Sequence, residues 1–190
     1  MRAARGARSN DNNPGATRLT FEPTDHAVGR SRGGLSTKVH LLVDDAGRPL
    51  VIVVSPGQAG DNPALQPMLN ELRIARRGPG RPRARPVLVR ADKAYSARGT
   101  RGYLRRRGIK AVIPIKKDQD AHRKNKGSKG GRPITHDPDL YRDRNTVERR
   151  INKIKDWRGL ATRYDKTPES HLAGPHLRGA LIWIRSLPTT

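Results

Sequence analysis

Residues 139–155, DLYRDRNTVERRINKIK, contain neither proline nor glycine, and a run of this length reads as about four turns of helix. Taking about 100° per residue from Tyr141, the side chains of Arg144, Glu148 and Lys155 point at about 300°, 340° and 320°, so the four share one polar stripe. Leu140, Val147, Ile151 and Ile154 fall at about 260°, 240°, 280° and 220° and form an apolar stripe beside it. Such a helix buries one face and holds a carboxylate, flanked by cations, along the edge of that face. The carboxylate is then fixed yet reachable. The same spacing also describes an ordinary i,i+4 ion pair of Arg144 with Glu148 on a solvated face.

Charge narrows the choice of partner. Forty Lys and Arg against seventeen Asp and Glu give a net charge of +23, spread along nearly the whole chain, which favours a polyanion. A ribosomal protein, a packaging protein and a nucleic-acid enzyme all satisfy this. With 33% hydrophobic residues in 190, one domain with a thin core is expected. No apolar run is long enough to span a bilayer, and the start RAARGARSNDNN lacks the apolar stretch of a signal peptide. There is no cysteine, hence no disulfide framework or thiolate zinc site, and the chain reads as cytoplasmic.

Residues 1–34 read as a basic, poorly ordered arm, and 35–187 as the folded domain. Within the arm, 30–34 (RSRGG) is a basic glycine-rich turn, either generic or able to approach a phosphate through Arg30 and Arg32. Residues 37–43 and 50–54 predict a hairpin around the turn 44–47, and 61–77 a helix capped by Asp61 or Asn62. The run 86–92 is a short apolar strand ending on Asp92, either a turn or cap aspartate or a group aimed at a ligand beyond the strand end. A helix through Tyr103 and Leu104 and a strand at 109–115 follow. Residues 116–133 show no periodicity and predict a basic loop. Trp157 either stacks on a base or covers the end of the helix at 139–155, and 175–186 predicts the last clean helix after Gly174-Pro175. The order β-β-α-β-α-β-loop-α-α implies an α/β fold with a mixed sheet flanked by helices.

Several stretches resemble bacterial insertion-sequence transposases of the DDE class, which have a ribonuclease-H-like catalytic core. They are GRSRGGLSTKVH at 29–40, Gly47-Arg48-Pro49-Leu50, SPGQAGD at 55–61, ADKAYS at 91–96 and GSKGGRP at 127–133. The most specific is Tyr-x2-Arg-x3-Glu-x6-Lys, met by Tyr141, Arg144, Glu148 and Lys155 and followed by Asp156-Trp157-Arg158-Gly159 and by ATRYD at 161–165. The resemblance covers roughly residues 22–187. It implies a triad of two aspartates and a glutamate, with Asp92 and Glu148 binding Mg²⁺ or Mn²⁺, and Tyr141, Arg144 and Lys155 beside them in the catalytic set. Oxygen ligands suit such hard ions, and two ions can activate a nucleophile and steady the leaving oxygen at a phosphodiester. DNA contacts are expected from Arg30, Arg32, Lys38, Lys93, Lys116, Lys117, Arg123, Lys124, Lys126, Lys129, Arg132 and Arg158, with element ends and target DNA as partners.

The family's first aspartate ends a first core strand before an Arg-Ala-His segment, which Met1-Arg2-Ala3-Ala4 echoes. Asp11, Asp25, Asp44 and Asp45 are poor substitutes by position. The expectation is therefore a fragment whose sheet lacks its first strand, which holds metal weakly, is inactive in strand transfer alone, and works as a homo-oligomer or with an upstream-frame product. A catalytically inactive DNA-binding remnant or regulator of transposition is the alternative, and a ribosomal-type structural protein is a third reading.

Overall fold

The protein is described by a computed structural model covering residues 26–134, 137–142 and 145–188. Strands β1 (Gly29–Ser31), β2 (Gly34–Val43) and β3 (Pro49–Pro56) form an antiparallel sheet in the order β1-β2-β3. The β-branched and leucine-rich run of β2 pairs with that of β3 from Thr37 opposite Pro56 to Val43 opposite Pro49, with a register shift at Leu42/Val43. Their turn is held by Asp44: its backbone N–H donates to Arg48 O (3.0 Å), and its carboxylate accepts from the Arg48 backbone N–H (2.8 Å). Gly47, at φ +76°, takes a backbone shape that other residues rarely adopt.

A second sheet consists of β4 (Leu88–Arg90) and β5 (Lys110–Val112), parallel, with helix α2 (Arg98–Arg106) as the crossover between them. The single mixed sheet expected from the element order is thus replaced by a small antiparallel sheet and a small parallel one, flanked by helices. Among the described residues no strand ladder joins β2 to β4. A cavity lies between them instead, lined by Leu41, Leu42 and Val43 on one side and Leu88 and Val89 on the other.

Alternation along the strands sends side chains to two cores. Val51 packs with Leu65, Met68, Leu69, Leu72, Val89, Leu104, Ile109 and Ile113, while its neighbour Ile52 packs with Leu41, Ile154, Leu160 and Ile182. The antiparallel sheet is therefore covered by α1 (Leu65–Glu71), α2 and the parallel pair on one face, and by α5 (Asn145–Lys155), α6 (Arg158–Ala161) and α7 (Pro168–Ile184) on the other.

Three helices depart from the sequence reading. Helix α1 stops at Glu71 because Leu72 turns to φ −57°, ψ 118°, and Asp61, the expected cap, instead pairs with Lys38 at 3.0 Å. The predicted loop at 116–133 contains α3 (Lys117–Asn125). Asp120 meets Arg123 at 3.1 Å and Lys124 at 3.0 Å, and acids in its first turn with bases in its last suit the helix dipole. No residue of α3 is buried, so it has no apolar period to detect.

Helix α7 starts earlier than expected and runs through Gly174 and Pro175. The Thr167 hydroxyl accepts from the Ser170 N–H at 3.2 Å, Pro168 occupies the first turn, and Pro175 is buried in the packing. Residues 139–155 are helical in α4 (Pro138–Arg142) and α5; Asp143 and Arg144 lie outside the described residues. Trp157 is half-buried against the second core and has the Arg178 guanidinium 5.2 Å from its ring, which favours the covering role.

Candidate functional site

Asp92 follows β4, where the chain leaves the parallel sheet. The extended backbone of Asp92 (φ −68°, ψ 163°) aims its carboxylate back at the next turn, and Oδ1 accepts from the Lys93 N–H at 2.6 Å. The cap role is real, and it leaves the half-buried carboxylate on the rim of the cavity between the sheets. The turn is tied down on its far side. The Ser96 hydroxyl is buried and donates to Gln119 Oε1 on α3 (2.9 Å), and the Thr100 hydroxyl lies 2.8 Å from Asn62 Oδ1.

Glu148 reaches the same rim from the first turn of α5. Helix α5 is buried through Ile154 and Ile151, and Ile151 also lines the cavity, so the apolar stripe seen in the sequence is the docking face. The helix is registered against the hairpin turn at Gly47. A Cβ there would lie 2.8 Å from Thr146 Cγ2 and would overlap the Arg150 guanidinium, which donates to Ala46 O at 2.9 Å. Glycine is thus required twice over, by conformation and by close approach.

The cavity has a volume of about 260 Å³, an apolar floor and four carboxylates along its lining: Asp44, Asp45, Asp92 and Glu148. Sequence position made Asp44 and Asp45 poor substitutes for the family's first aspartate, yet both line the cavity that Asp92 and Glu148 also line. Each has a cation. Asp44 pairs with Arg48 at 2.6 Å, and Asp45 with Arg90 at 2.5 Å. Tyr95 also lines the cavity, where burial first, then the charges of Asp61 and Asp92, push its phenol up to about 12. It stays a neutral hydrogen-bond donor throughout the physiological range.

Of the other residues singled out in the sequence, Tyr141 is half-buried in α4 and Lys155 is exposed at the end of α5; neither lines the cavity. Seven residues of helix separate Glu148 from Lys155 by about 10 Å. Arg144 lies outside the described residues. Arg30, Arg32, Lys93, Lys116, Lys117, Lys126, Lys129, Arg132 and Arg158 are exposed. Lys38 is turned inward, donating to Ala59 O at 2.6 Å and Asp61 Oδ1 at 3.0 Å, and Arg123 and Lys124 share Asp120. Lys124 and then Arg123 hold the Asp120 carboxyl below its usual range by hydrogen bonding.

Sequence reasoning missed Arg163. Its guanidinium donates to the carbonyls of His26 (2.7 Å), Ala27 (3.2 Å) and Lys166 (3.0 Å) and to the Thr37 hydroxyl (2.7 Å), tying the start of the antiparallel sheet to the turn before α7. Only its place within ATRYD marked it.

Carboxylate oxygens are the donors a hard divalent ion takes. Among the described residues, however, no group of three or more His, Cys, Asp or Glu side chains is arranged to hold one. Asp92 and Glu148 share a rim without forming an ion site by themselves, and the expected Mg²⁺ or Mn²⁺ centre is not met by these residues alone. Among the described residues no helix is long and apolar enough to cross a membrane.

The family model for the transposase DDE domain matches residues 13–173. A protein of Brucella ovis, "Putative transposase for insertion sequence element IS6501", is 33% identical over 151 residues, covering 80% of this chain and 100% of that one. A Burkholderia cepacia protein, "Putative transposase for insertion sequence element IS402", is 29% identical over 160 residues, covering 84% of this chain and 65% of its own length. No solved structure matches the chain. With the match running through β1 to the start of α7, this chain belongs to the DDE transposase domain family of bacterial insertion sequences.

Proposed function

We propose that this chain binds DNA as a member of the insertion-sequence transposase family and, in the form described, occupies DNA without cutting it, acting as a regulator of transposition. The observation that carries this reading is the pairing of a +23 charge with a rim on which Asp92 and Glu148 stand as two carboxylates without a third forming an ion site among the described residues. The cations suit phosphate. Lys116 and Lys117 open α3, which is anchored to the Asp92 turn through Ser96 and Gln119, so duplex DNA drawn to α3 passes close to the carboxylate rim.

A second reading, metal-dependent DNA cleavage and strand transfer, is favoured by the convergence of Asp92 and Glu148 from distant parts of the chain onto one cavity. It takes the two sheets as parts of a ribonuclease-H-like core and requires a third carboxylate arranged with Asp92 and Glu148 to hold an ion, from another segment, a second copy or a partner chain.

The first reading is tested by titrating the chain into a complete transposase acting on its element's ends. Slowed cleavage, relieved by added salt in parallel with loss of DNA binding, supports it. Unchanged cleavage at concentrations that saturate the DNA overturns it.

A further inference from the structure

We propose that the arginine loop between α1 and β4 is a separate DNA-contact element that enters the minor groove of a duplex, favouring A·T-rich sequence. The inference rests on the reading that the chain binds DNA, and it concerns residues outside the carboxylate rim.

Residues 73–85 read RIARRGPGRPRAR, with Arg73, Arg76, Arg77, Arg81, Arg83 and Arg85 and no acid. Their ends are closed by an antiparallel bridge: Ile74 N–H donates to Arg83 O at 2.9 Å, and Arg83 N–H to Ile74 O at 2.8 Å. The bridge gathers Arg76, Arg77 and Arg81 onto one short loop, where every residue from 73 to 83 is exposed. Like charges brought together in this way repel one another, and a protein gains nothing in its own fold from the arrangement. Among the described residues no carboxylate pairs with these three arginines, in contrast with Arg48, Arg90 and Arg123.

The loop is firmly rooted. Arg73 Nη1 donates to Asn70 O (2.7 Å) and Leu72 O (2.8 Å), Arg107 Nη2 donates to Ala84 O (2.9 Å), and Arg85 Nη1 donates to Arg107 O (3.2 Å). Ile74 and Pro86 at its base line the same cavity as Asp92 and Glu148. The tip is slender: Ala75, Gly78, Pro79, Gly80 and Pro82 separate the arginines, and Gly80 adopts φ +125°.

These features select the groove. Arginine is the tip's one polar side-chain type, so it offers charge and shape to a minor groove and, in a major groove, only the arginine–guanine contact, which would favour G·C-rich rather than A·T-rich duplex. A minor groove is about 6 Å wide, and A-tracts narrow it and concentrate negative potential that attracts arginine. A thin loop of glycine, proline and arginine fits that space, and with a single bridge at its base it presents less surface than the helix or two-stranded ribbon that fills the wide major groove. Six residues from Pro86 to Asp92 span at most about 20 Å. A duplex turn is about 34 Å, so one duplex can touch the loop and pass the carboxylate rim within a single turn.

The test uses the whole chain in EDTA, with fluorescence anisotropy on A·T-rich and G·C-rich duplexes of equal length across a salt series. Wild-type chain should bind the A·T-rich duplex more tightly. The triple variant R76A/R77A/R81A should bind it about tenfold or more weakly at moderate salt, with the log–log salt slope shallower by about three, at an unchanged thermal midpoint. R76K/R77K/R81K should keep most of the slope and lose the A·T preference, because an ammonium is a compact, strongly hydrated charge. A triple alanine variant within about twofold of wild type, at unchanged slope, overturns the proposal while leaving DNA binding by the chain intact. Equal competition by duplex RNA, whose minor groove is wide and shallow, overturns the minor-groove assignment. A wild-type chain that binds neither duplex removes both this inference and the functional reading beneath it.

Discussion

The two ends of β4 are built in opposite ways. At the end carrying Asp92, Asp44 is held by Arg48, Asp45 by Arg90 and Asp92 by the turn it caps, and α5, which carries Glu148, is registered by Gly47. At the other end, the base of the arginine loop is tied by the Ile74–Arg83 backbone bridge and by arginine side chains donating to backbone carbonyls, while Arg76, Arg77 and Arg81 are exposed to solvent. One end fixes side-chain positions. The other holds exposed charge on a hydrogen-bonded root, which suits a polyanion whose sequence and position vary.

Breaking the ordered end should have the largest effect. Gly47→Val puts a β-branched residue at φ +76° against Thr146 and Arg150, and we expect a loss of roughly 2–4 kcal/mol in urea denaturation. A loss below about 0.5 kcal/mol would show that α5 is not registered by this turn. Arg163→Ala acts on the sheet that supports the ordered end, leaving several carbonyls without their donor, and roughly 2–3 kcal/mol should be lost. Neither change should alter the salt slope of DNA binding by the folded protein, because the arginine loop is rooted elsewhere.

Acid should weaken the body between the two ends. Burial lowers the pKa of His171, with Asp165 opposing and Arg163 adding, and burial likewise lowers that of His40, where Asp61 opposes and Lys38 adds. Both are neutral bases in the fold, so the unfolded chain binds more protons as pH drops through the ordinary value of 6.5. Stability is full above that pH and falls below it until the folded-state values are passed. Melting midpoints should decline from pH 7.5 to 5, and part of the decline should vanish in His171→Asn after correction for its lower starting stability. A flat profile would contradict the burial argument.

The smallest effect belongs to the rim charges. Asp92→Asn and Glu148→Gln remove negative charge near the DNA path, and affinity measured in EDTA should rise by about twofold at low salt, with the difference fading as salt increases. Weaker binding by either variant would place the rim in direct contact with DNA.

Much of this was legible in the residues. The β-branched runs and the Asp44–Gly47 turn predict the hairpin, the strand expected over 86–92 is found in the shorter span Leu88–Arg90 with Asp92 capping the turn beyond it, and the apolar stripe of 139–155 docks α5 through Ile151 and Ile154. Hydrophobic periodicity failed where nothing is buried, as in α3, and proline misled where Pro175 is absorbed into helix packing. Asp44 and Asp45 escaped because their nearness to Asp92 depends on how the hairpin lies over β4, a long-range relation that local spacing does not encode. The split into two sheets is of the same kind.

The most direct test of the central claim is incubation of the chain with Mg²⁺ or Mn²⁺ and supercoiled DNA carrying the ends of an element of this family, with product mapping and binding measured in parallel. Salt-sensitive binding with no metal-dependent cut at the ends is the expected result. Specific cleavage that depends on the metal and disappears in Glu148→Ala would contradict it and establish the cutting reading instead.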